Sequence, residues 1–226
     1  MIDLHTHTVF SDGELIPAEL TRRAAVAGYR AIAITDHGDF SNIDFIIPRI
    51  VRVAAELGDA WGLTVIPGIE LTHVPPSQIA AAAKEARDLG ARLVVCHGET
   101  LVEPVALGTN RAALEAGVDI LAHPGLLTDD EAALAAERGI CLELTARKGH
   151  SLSNGHVARL AQAHGAPLVL NTDSHAPGDL TPLSMAHRIA LGAGLDEEGF
   201  AQLRRNAEAL VLRAGGHIEH RKTQGV

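Results

Sequence analysis

The sequence predicts an α/β protein built on a parallel sheet, and three observations support this fold class. Short aliphatic runs alternate with longer segments of helical spacing throughout the 226 residues. Hydrophobic residues make up 46% of the chain and aromatic residues only 3%, as is typical of helices packed on a buried parallel sheet. A glycine precedes most of the aliphatic runs, where a helix would end. Parallel strands joined by helices require right-handed crossovers.

Seven aliphatic runs are the predicted strands: IDLHT, RAIAITDH, LTVIPGIEL, RLVVCHG, DILAHPG, ICLELTA and PLVLNTDSH. Seven strand–helix units are compatible with an open doubly wound sheet or with a barrel related to the TIM fold. The first strand is not followed by the G-x-G-x-x-G fingerprint of dinucleotide binding. Its absence weakens the open-sheet alternative.

The predicted helices have recognisable starts and ends. Apolar residues recur at i, i+4 and i+7 over 20–27 and 79–86. Pro17 and Pro76 suit a first helical turn, and residues 128–131 are predicted to form a capping box. Glycines that could end helices are Gly28, Gly58, Gly90, Gly117, Gly139 and Gly165.

Length and composition indicate one domain over residues 1–214, followed by a polar C-terminal tail over 215–226. No stretch approaches the ~20 apolar residues of a membrane span, and no leader sequence is evident. We therefore expect a cytoplasmic protein in which Cys96 and Cys141, both inside apolar runs, are reduced and buried. The sequence does not predict an oligomeric state.

The formal net charge of −9 makes a nucleic-acid partner unlikely, since an acidic field repels polyanions. A small phosphorylated substrate stays compatible with this charge, because bound divalent cations would reverse the local field.

Histidines and carboxylates gather at the C-terminal ends of the predicted strands. They are His5, His7, His37, Glu70, His97, His123, Asp173 and His175. In a closed parallel barrel these strand ends meet on one face, where active sites are built. A packed apolar core does not collect so many imidazoles, because each needs a polar partner. This mixture of imidazole and carboxylate predicts a site for divalent metal ions.

The other histidines are weaker candidates. Those in helical segments or in the tail are expected on the solvated surface: His156, His164, His187, His217 and His220. His73 and His150 fall in loops on the predicted site face, and their roles stay open.

The run DLHTHTVFSDG, followed in order by ITDH, GIE, CHGE, AHPG and NTDSH, resembles the polymerase and histidinol phosphatase (PHP) family. The resemblance covers nearly the whole chain, with one motif at each strand end. It implies a distorted (β/α)7 TIM-like barrel that binds two to three divalent metal ions, Zn, Mn or Fe, at the C-terminal ends of its strands.

The resemblance also implies how the ligands divide among the ions. The first group would be His5, His7, Glu70 and Asp173. Glu70 would bridge to a second ion held by His97 and His123, and the third group would be Asp12, His37 and His175. Some relatives have histidine where this chain has Asp12, and the oxygen ligand here favours a harder metal such as Mn or a weaker third site.

Two ions that share a carboxylate would activate a water molecule as hydroxide and neutralise phosphate oxygens. We therefore expect phosphoester hydrolysis through the metals bound by His5, His7, Glu70 and Asp173. The single compact domain favours a small-molecule phosphomonoester as substrate, and the resemblance implies histidinol phosphate or a related compound. The loop TARKGHS after the sixth strand places Arg147, Lys148 and His150 as candidates for substrate binding, although a solvated basic loop is equally compatible with it.

Carboxylates beside the ligands are candidates to orient the metal-bound imidazoles: Asp3, Asp36 and Glu143, with Glu99 and Ser174 as weaker ones.

Three alternative functions stay open. Relatives attached to DNA polymerases imply a 3′–5′ exonuclease or phosphodiesterase, and a relative that has lost ligands would be a non-catalytic metal-binding scaffold. An amidohydrolase-type barrel also begins with a His-x-His strand. A lysine often bridges the metals in that class, whereas Glu70 would have this role here.

Overall fold

The computed structural model describes residues 1–218 and confirms the predicted alternation of strands and helices. The strands are β1 (Ile2–Asp3), β2 (Ala31–Ile34), β3 (His37–Gly38), β4 (Thr64–Leu71), β5 (Leu93–His97), β6 (Ile120–Ala122), β7 (Cys141–Thr145) and β8 (Leu168–Asn171). They form one parallel sheet of order β1-β2-β4-β5-β6-β7-β8, in which β3 also pairs with β4.

The α-helices of residues 1–218 are α1 (Pro17–Val26), α2 (Ile43–Trp61), α3 (Ile79–Asp88), α4 (Thr109–Ala116), α5 (Asp129–Arg138), α6 (Asn154–His164), α7 (Leu183–Gly192) and α8 (Glu197–Arg213). Short 3₁₀ turns cover Pro76–Gln78, His150–Ser153 and Pro177–Asp179. Among the described residues, no helix is long and apolar enough to cross a membrane.

The sheet closes where its first and last strands meet. Thr6 and Ser174 form a parallel bridge, the Asp173 amide donates to the His5 carbonyl over 3.0 Å, and the His7 amide donates to the Ser174 carbonyl over 2.9 Å. These bonds join the two edges just beyond the ends of β1 and β8. The predicted distorted (β/α)7 barrel is thereby confirmed, and the open doubly wound sheet is wrong.

The predicted second strand is interrupted at Thr35 and Asp36, which separate β2 from β3. Both pieces pair with β4, so they occupy one strand position of the barrel. The break allows the Asp36 carboxylate to accept bonds from the loop after β1, at the amides of Thr8 (2.7 Å) and Ser11 (3.1 Å).

Most predicted helix boundaries are confirmed. Pro17 begins α1, and Thr128 caps α5 in the predicted capping box. The assignment of Gly58 as a helix end is wrong, because it lies inside α2. Gly62 ends that helix instead, at a φ of 64° that favours glycine, and its amide donates to the Gly58 carbonyl.

Two apolar layers hold the barrel together. The outer layer lies between strands and helices, and the inner layer fills the barrel with Leu4, Ala33, Val95 and Val169. Leu210 of α8 joins the inner layer and closes the end of the barrel opposite the strand C-termini.

The first residues of the predicted tail lie against this closed end. Ile218 packs on the inner layer, and residues 219–226 of that tail lie outside the described residues. Cys96 and Cys141 are free and buried, as the sequence predicted.

Candidate metal centre

The C-terminal ends of the strands bring the predicted ligands together. Within residues 1–218, their ligand atoms fall into four overlapping groups, each within 4.8 Å: His7, Asp12, His37 and His175; His5, His123 and Asp173; His5, His7 and Glu70; Glu70, His97 and His123. Every predicted ligand belongs to at least one group. His7 contributes to the group of Asp12 as well as to its predicted group, since its two ring nitrogens face opposite sides.

Glu70, at the C-terminal end of β4, is the carboxylate shared by two of these groups. Its Oε1 lies 3.2 Å from His5 Nε2 and 3.7 Å from His123 Nε2, while its Oε2 lies 2.7 Å from His37 Nδ1. The side chain is fully buried. Oε1 therefore faces an imidazole of each of the two groups that share Glu70, and Oε2 faces His37 of the outer group.

Asp173 lies across the centre from Glu70. Its Oδ1 is 3.2 Å from His7 Nε2, and its Oδ2 is 3.7 Å from His123 Nε2. Among residues 1–218, a positive φ at a non-glycine residue is found at Asp173 (53°), His123 (28°) and His73 (52°). All three follow strands on this face, and backbone strain of this kind is concentrated at functional sites.

Asp12 forms the outer part of the centre. Its Oδ1 lies 3.2 Å from His175 Nε2, 3.4 Å from His37 Nε2 and 4.0 Å from His7 Nδ1. The turn that carries Asp12 depends on Gly13, where a Cβ would come within 2.5 Å of the His7 carbonyl oxygen. Since 56% of the Asp12 side chain is exposed, this group marks the solvent side of the centre.

Several buried donor atoms in the centre have no hydrogen-bond partner among the described residues. They are His5 Nε2, both ring nitrogens of His7, Glu70 Oε1 and His123 Nδ1. Buried polar atoms are normally paired, so a cluster of orphans calls for a ligand. Imidazole nitrogens with carboxylate oxygens are the donor set that Zn, Mn and Fe accept. The residues therefore fit divalent metal ions.

The ionisable groups of the centre strongly shift one another's pKa values. Burial opposes the charged form of His5, but Glu143, Glu70 and Asp173 raise its pKa well above 6.5. Burial likewise opposes the imidazolium of His37, yet Glu70 and Asp12 raise its pKa to about 10.

The pKa values of the groups at the middle of the centre are lowered instead. Burial lowers the pKa of His7 and of His123 well below 6.5, each with the help of a neighbouring histidine. Burial alone would raise the pKa of Glu70, but His5 and His37 hold it well below 4.5. Without metal, the negative charge of the carboxylates is thus balanced by protonated imidazoles.

Of the carboxylates predicted to orient ligands, Glu143 contacts an imidazole. His5 Nδ1 donates to Glu143 Oε1 over 2.9 Å. Asp3 and Asp36 act on the backbone instead: Asp3 accepts from the Thr172 amide (3.1 Å), and Asp36 holds the turn after β1. Glu99 accepts from amides at the start of α4, and Ser174 donates to the Ala176 carbonyl, so neither orients a ligand ring.

The loop that carries Arg147, Lys148 and His150 lies beside the centre, and these three residues differ in burial and contacts. Arg147 Nε lies 3.6 Å from Asp173 Oδ2, and the side chain is 31% exposed. His150 is buried, with its ring centroid 4.3 Å from that of His123, and it is hydrogen-bonded to Thr100. Lys148 is exposed, and among residues 1–218 it forms no ion pair with the ligand groups.

His156, His164 and His187 lie on helices α6 and α7, away from the ligand groups, but they are half-buried and not fully solvated as predicted. Each ring is hydrogen-bonded, to the Leu127 carbonyl, Asp129 and Glu197 respectively. His217 lies at the opposite end of the barrel, and His220 falls outside the described residues.

Sequence reasoning missed Glu103, whose carboxylate reaches His97 from a loop. It lies six residues beyond the end of β5 and belongs to no recognisable motif, so the sequence contains no signal for it.

Comparisons with known proteins match the whole barrel. The PHP domain family matches residues 3–165, which include every predicted ligand except Asp173 and His175. An uncharacterized protein of Methanocaldococcus jannaschii is 53% identical over 195 residues, covering 85% of this chain and 89% of that protein. A protein of Shewanella halifaxensis named a probable phosphatase is 29% identical over 248 residues, covering 96% and 94%.

Two solved structures share the fold. A chain in the structure of archaeal ribonuclease P with mature tRNA has a TM-score of 0.72 at 17% identity, covering 99% of this chain and 100% of that chain. Histidinol phosphate phosphatase from Lactococcus lactis, solved with zinc, L-histidinol and phosphate, has a TM-score of 0.56 at 17% identity, covering 96% and 94%. At this identity the likeness concerns the fold alone.

Proposed function

Because the chain belongs to the PHP domain family, we propose that it is a metal-dependent phosphoesterase that hydrolyses a small-molecule phosphomonoester. The observation that carries the proposal is the buried Glu70 carboxylate, shared by the group of His5 and His7 and the group of His97 and His123. The relative named a probable phosphatase, aligned over 96% of this chain, supports phosphoester chemistry.

The residues would hold two to three divalent ions. Two positions would share Glu70, and the third would be the group of Asp12, His37 and His175. Bound there, such ions supply a Lewis acid that lowers the pKa of water and neutralises phosphate oxygens. The Asp12 oxygen favours a harder metal such as Mn at the third position, or makes that position weaker.

The protein's own side chains position the reaction. Glu143 holds the His5 ring in one orientation from behind. A substrate would enter on the exposed side, past Asp12 and His37, because the opposite side of the centre is buried. Arg147 lies beside Asp173 and is 31% exposed, so its guanidinium can turn from Asp173 to bind phosphate oxygens in a bidentate manner. Lys148, exposed on the same loop, adds positive charge to the approach.

The alternatives are weaker for physical reasons. The net charge of −9 opposes binding of a nucleic-acid strand, as a 3′–5′ exonuclease would require. An amidohydrolase often has a lysine between its metals, whereas Glu70 occupies the corresponding place at the end of β4.

The test is phosphate release by the full chain, stripped with chelator and reloaded with Mn or Zn. The substrates would be histidinol phosphate, sugar phosphates, nucleotides and a short oligonucleotide. Turnover of a monoester with an intact oligonucleotide is the expected result. Cleavage of the oligonucleotide with no monoester turnover would overturn the proposal in favour of a nuclease.

Two variants connect the activity to the centre. His97→Ala and His123→Ala each remove a ligand from the second group, so we expect turnover to be lost while the circular dichroism spectrum is retained. His164→Ala, on the outer face of α6, is the matched control and should remain active. Normal turnover in both centre variants would contradict the proposed role of that group.

A further inference from the structure

Glu103 lies on the loop of residues 98–108, between β5 and α4, and its carboxylate contacts three imidazoles from different parts of the chain. Its Oε2 lies 3.1 Å from His97 Nε2 and 3.4 Å from His73 Nε2, and its Oε1 lies 3.3 Å from His150 Nε2. Of these three, His97 alone belongs to a ligand group of the candidate centre. The carboxylate therefore reaches the edge of the centre from outside the predicted ligand set.

The hydrogen bonding of His97 decides which of its nitrogens faces Glu103. His97 Nδ1 lies 3.1 Å from the Gly98 carbonyl oxygen, which can only accept, so Nδ1 donates to it. Nε2 is then the nitrogen left to bind an ion, and it faces Glu103 Oε2 at 3.1 Å. This separation is close to the 3.2 Å between His5 Nε2 and Glu70 Oε1 and between His175 Nε2 and Asp12 Oδ1, two pairs inside the ligand groups.

A divalent ion bound by both atoms would fit this spacing. Ligand atoms with metal bonds of about 2.0–2.2 Å in a tetrahedral arrangement are separated by about 3.3–3.5 Å, close to the separation of these two atoms. The group of Glu70, His97 and His123 offers three protein ligands, and a tetrahedral ion would have a fourth position left.

We propose that Glu103 is a further metal ligand, which joins His97 at the ion held by Glu70, His97 and His123. This inference builds on the metal centre of the proposed function. The side chain is 37% exposed on a surface loop. His73 and His150 contact the carboxylate in the same arrangement, so these two histidines would orient it toward the ion.

The test measures binding of Co²⁺ to the chelator-stripped full chain, with the metal affinity from competition and the coordination from visible absorption. Glu103→Gln keeps the size of the side chain but weakens its ligation. We expect one ion to bind about 10- to 100-fold more weakly, with a changed absorption spectrum. Glu85→Gln, an exposed glutamate on α3, is the matched control and should bind as the wild type does.

The outcomes separate this inference from the proposed function. Unchanged affinity and spectrum in Glu103→Gln would overturn the role of Glu103, even if the wild type hydrolyses phosphomonoesters. Weakened binding with a changed spectrum in Glu103→Gln would support it, even if the wild type hydrolyses none of them, and weakened binding with an unchanged spectrum would overturn it. A spectral change is the decisive readout, because a merely structural role of the loop would not alter the coordination of the ion.

Discussion

His5 and Glu143 form a fully buried pair in which His5 Nδ1 donates to Glu143 Oε1 over 2.9 Å. The bond leaves His5 Nε2 facing Glu70 at 3.2 Å, in position to bind an ion. Glu143 also accepts from the His123 amide over 3.2 Å and from Asn171 Nδ2 over 2.8 Å. The Glu143 carboxylate thus connects the C-terminal ends of three strands, β1, β6 and β8.

The first prediction concerns this pair. Glu143→Gln retains the shape of the side chain but loses its charge, so the His5 ring is held and polarised less strongly. We expect metal affinity to fall about 10- to 100-fold while the fold is retained. Competition titration against a chromophoric chelator measures the affinity, with Glu85→Gln as the control. Equal affinities in the two variants would show that Glu143 does not tune the site.

The second prediction concerns pH. The carboxylates around His5 and His37 raise the pKa of both imidazoles against the effect of burial, that of His37 to about 10. Both rings are therefore protonated at neutral pH in the metal-free protein, and an ion must displace their protons to bind.

Metal affinity should accordingly increase as the pH rises from 6 to 9, about tenfold per pH unit for each proton displaced. Calorimetric titration in two buffers of different ionisation enthalpy counts the released protons. Affinity independent of pH, with no proton release, would contradict the expected charge state of these imidazoles.

The fold and the ligand positions could be predicted because they depend on local patterns. His5 and His7 alternate on one strand, and closing the barrel brings the end of β1 beside Asp173 in the folded chain. The grouping of imidazoles with Glu70 follows from the same geometry, since all strand C-termini meet on one face.

What the sequence could not predict depends on contacts between loops. Asp3 and Asp36 both precede predicted ligands, and nothing in the chain shows that they bond to backbone amides instead of imidazoles. Glu103 lies six residues beyond His97, in a loop whose path is set by packing and not by a motif. Gly58 and Gly62 are both acceptable helix ends, and only the packing of α2 selects the second.

The third prediction concerns substrate binding. Arg147 is partly exposed beside Asp173, so its guanidinium is available to a phosphate group. Arg147→Ala should raise KM for phosphomonoesters by the equivalent of about 1.5–3 kcal/mol, as is usual for a charged hydrogen bond. Arg147→Lys should recover part of this loss, since it retains the charge without the bidentate geometry.

Lys148→Ala is the comparison for this prediction, because the exposed Lys148 lies on the same loop. It should raise KM less than Arg147→Ala does. Steady-state kinetics on the metal-loaded enzyme distinguish the two, and unchanged KM in Arg147→Ala would assign that residue to the solvated surface.

The fourth prediction concerns the turn that presents Asp12. The buried Asp36 carboxylate accepts from the amides of Thr8 and Ser11 and from the hydroxyl of each. Asp36→Ala leaves these donors unsatisfied, so the free energy of unfolding should fall by about 1–3 kcal/mol. Asp36→Asn, which keeps one oxygen acceptor, should lose less.

Denaturant unfolding of the chelator-stripped protein measures this effect without any contribution from bound metal. Asp88→Ala, which breaks an exposed ion pair with Lys84 on α3, is the control and should cost at most about 0.5 kcal/mol. If Asp36→Ala were no more destabilising than Asp88→Ala, the turn would be held by its backbone bonds from Ser11 and Gly13 to the Thr8 carbonyl alone. A fall of about 1–3 kcal/mol in the free energy of unfolding would instead show that Asp36 fixes the turn and thereby the position of Asp12.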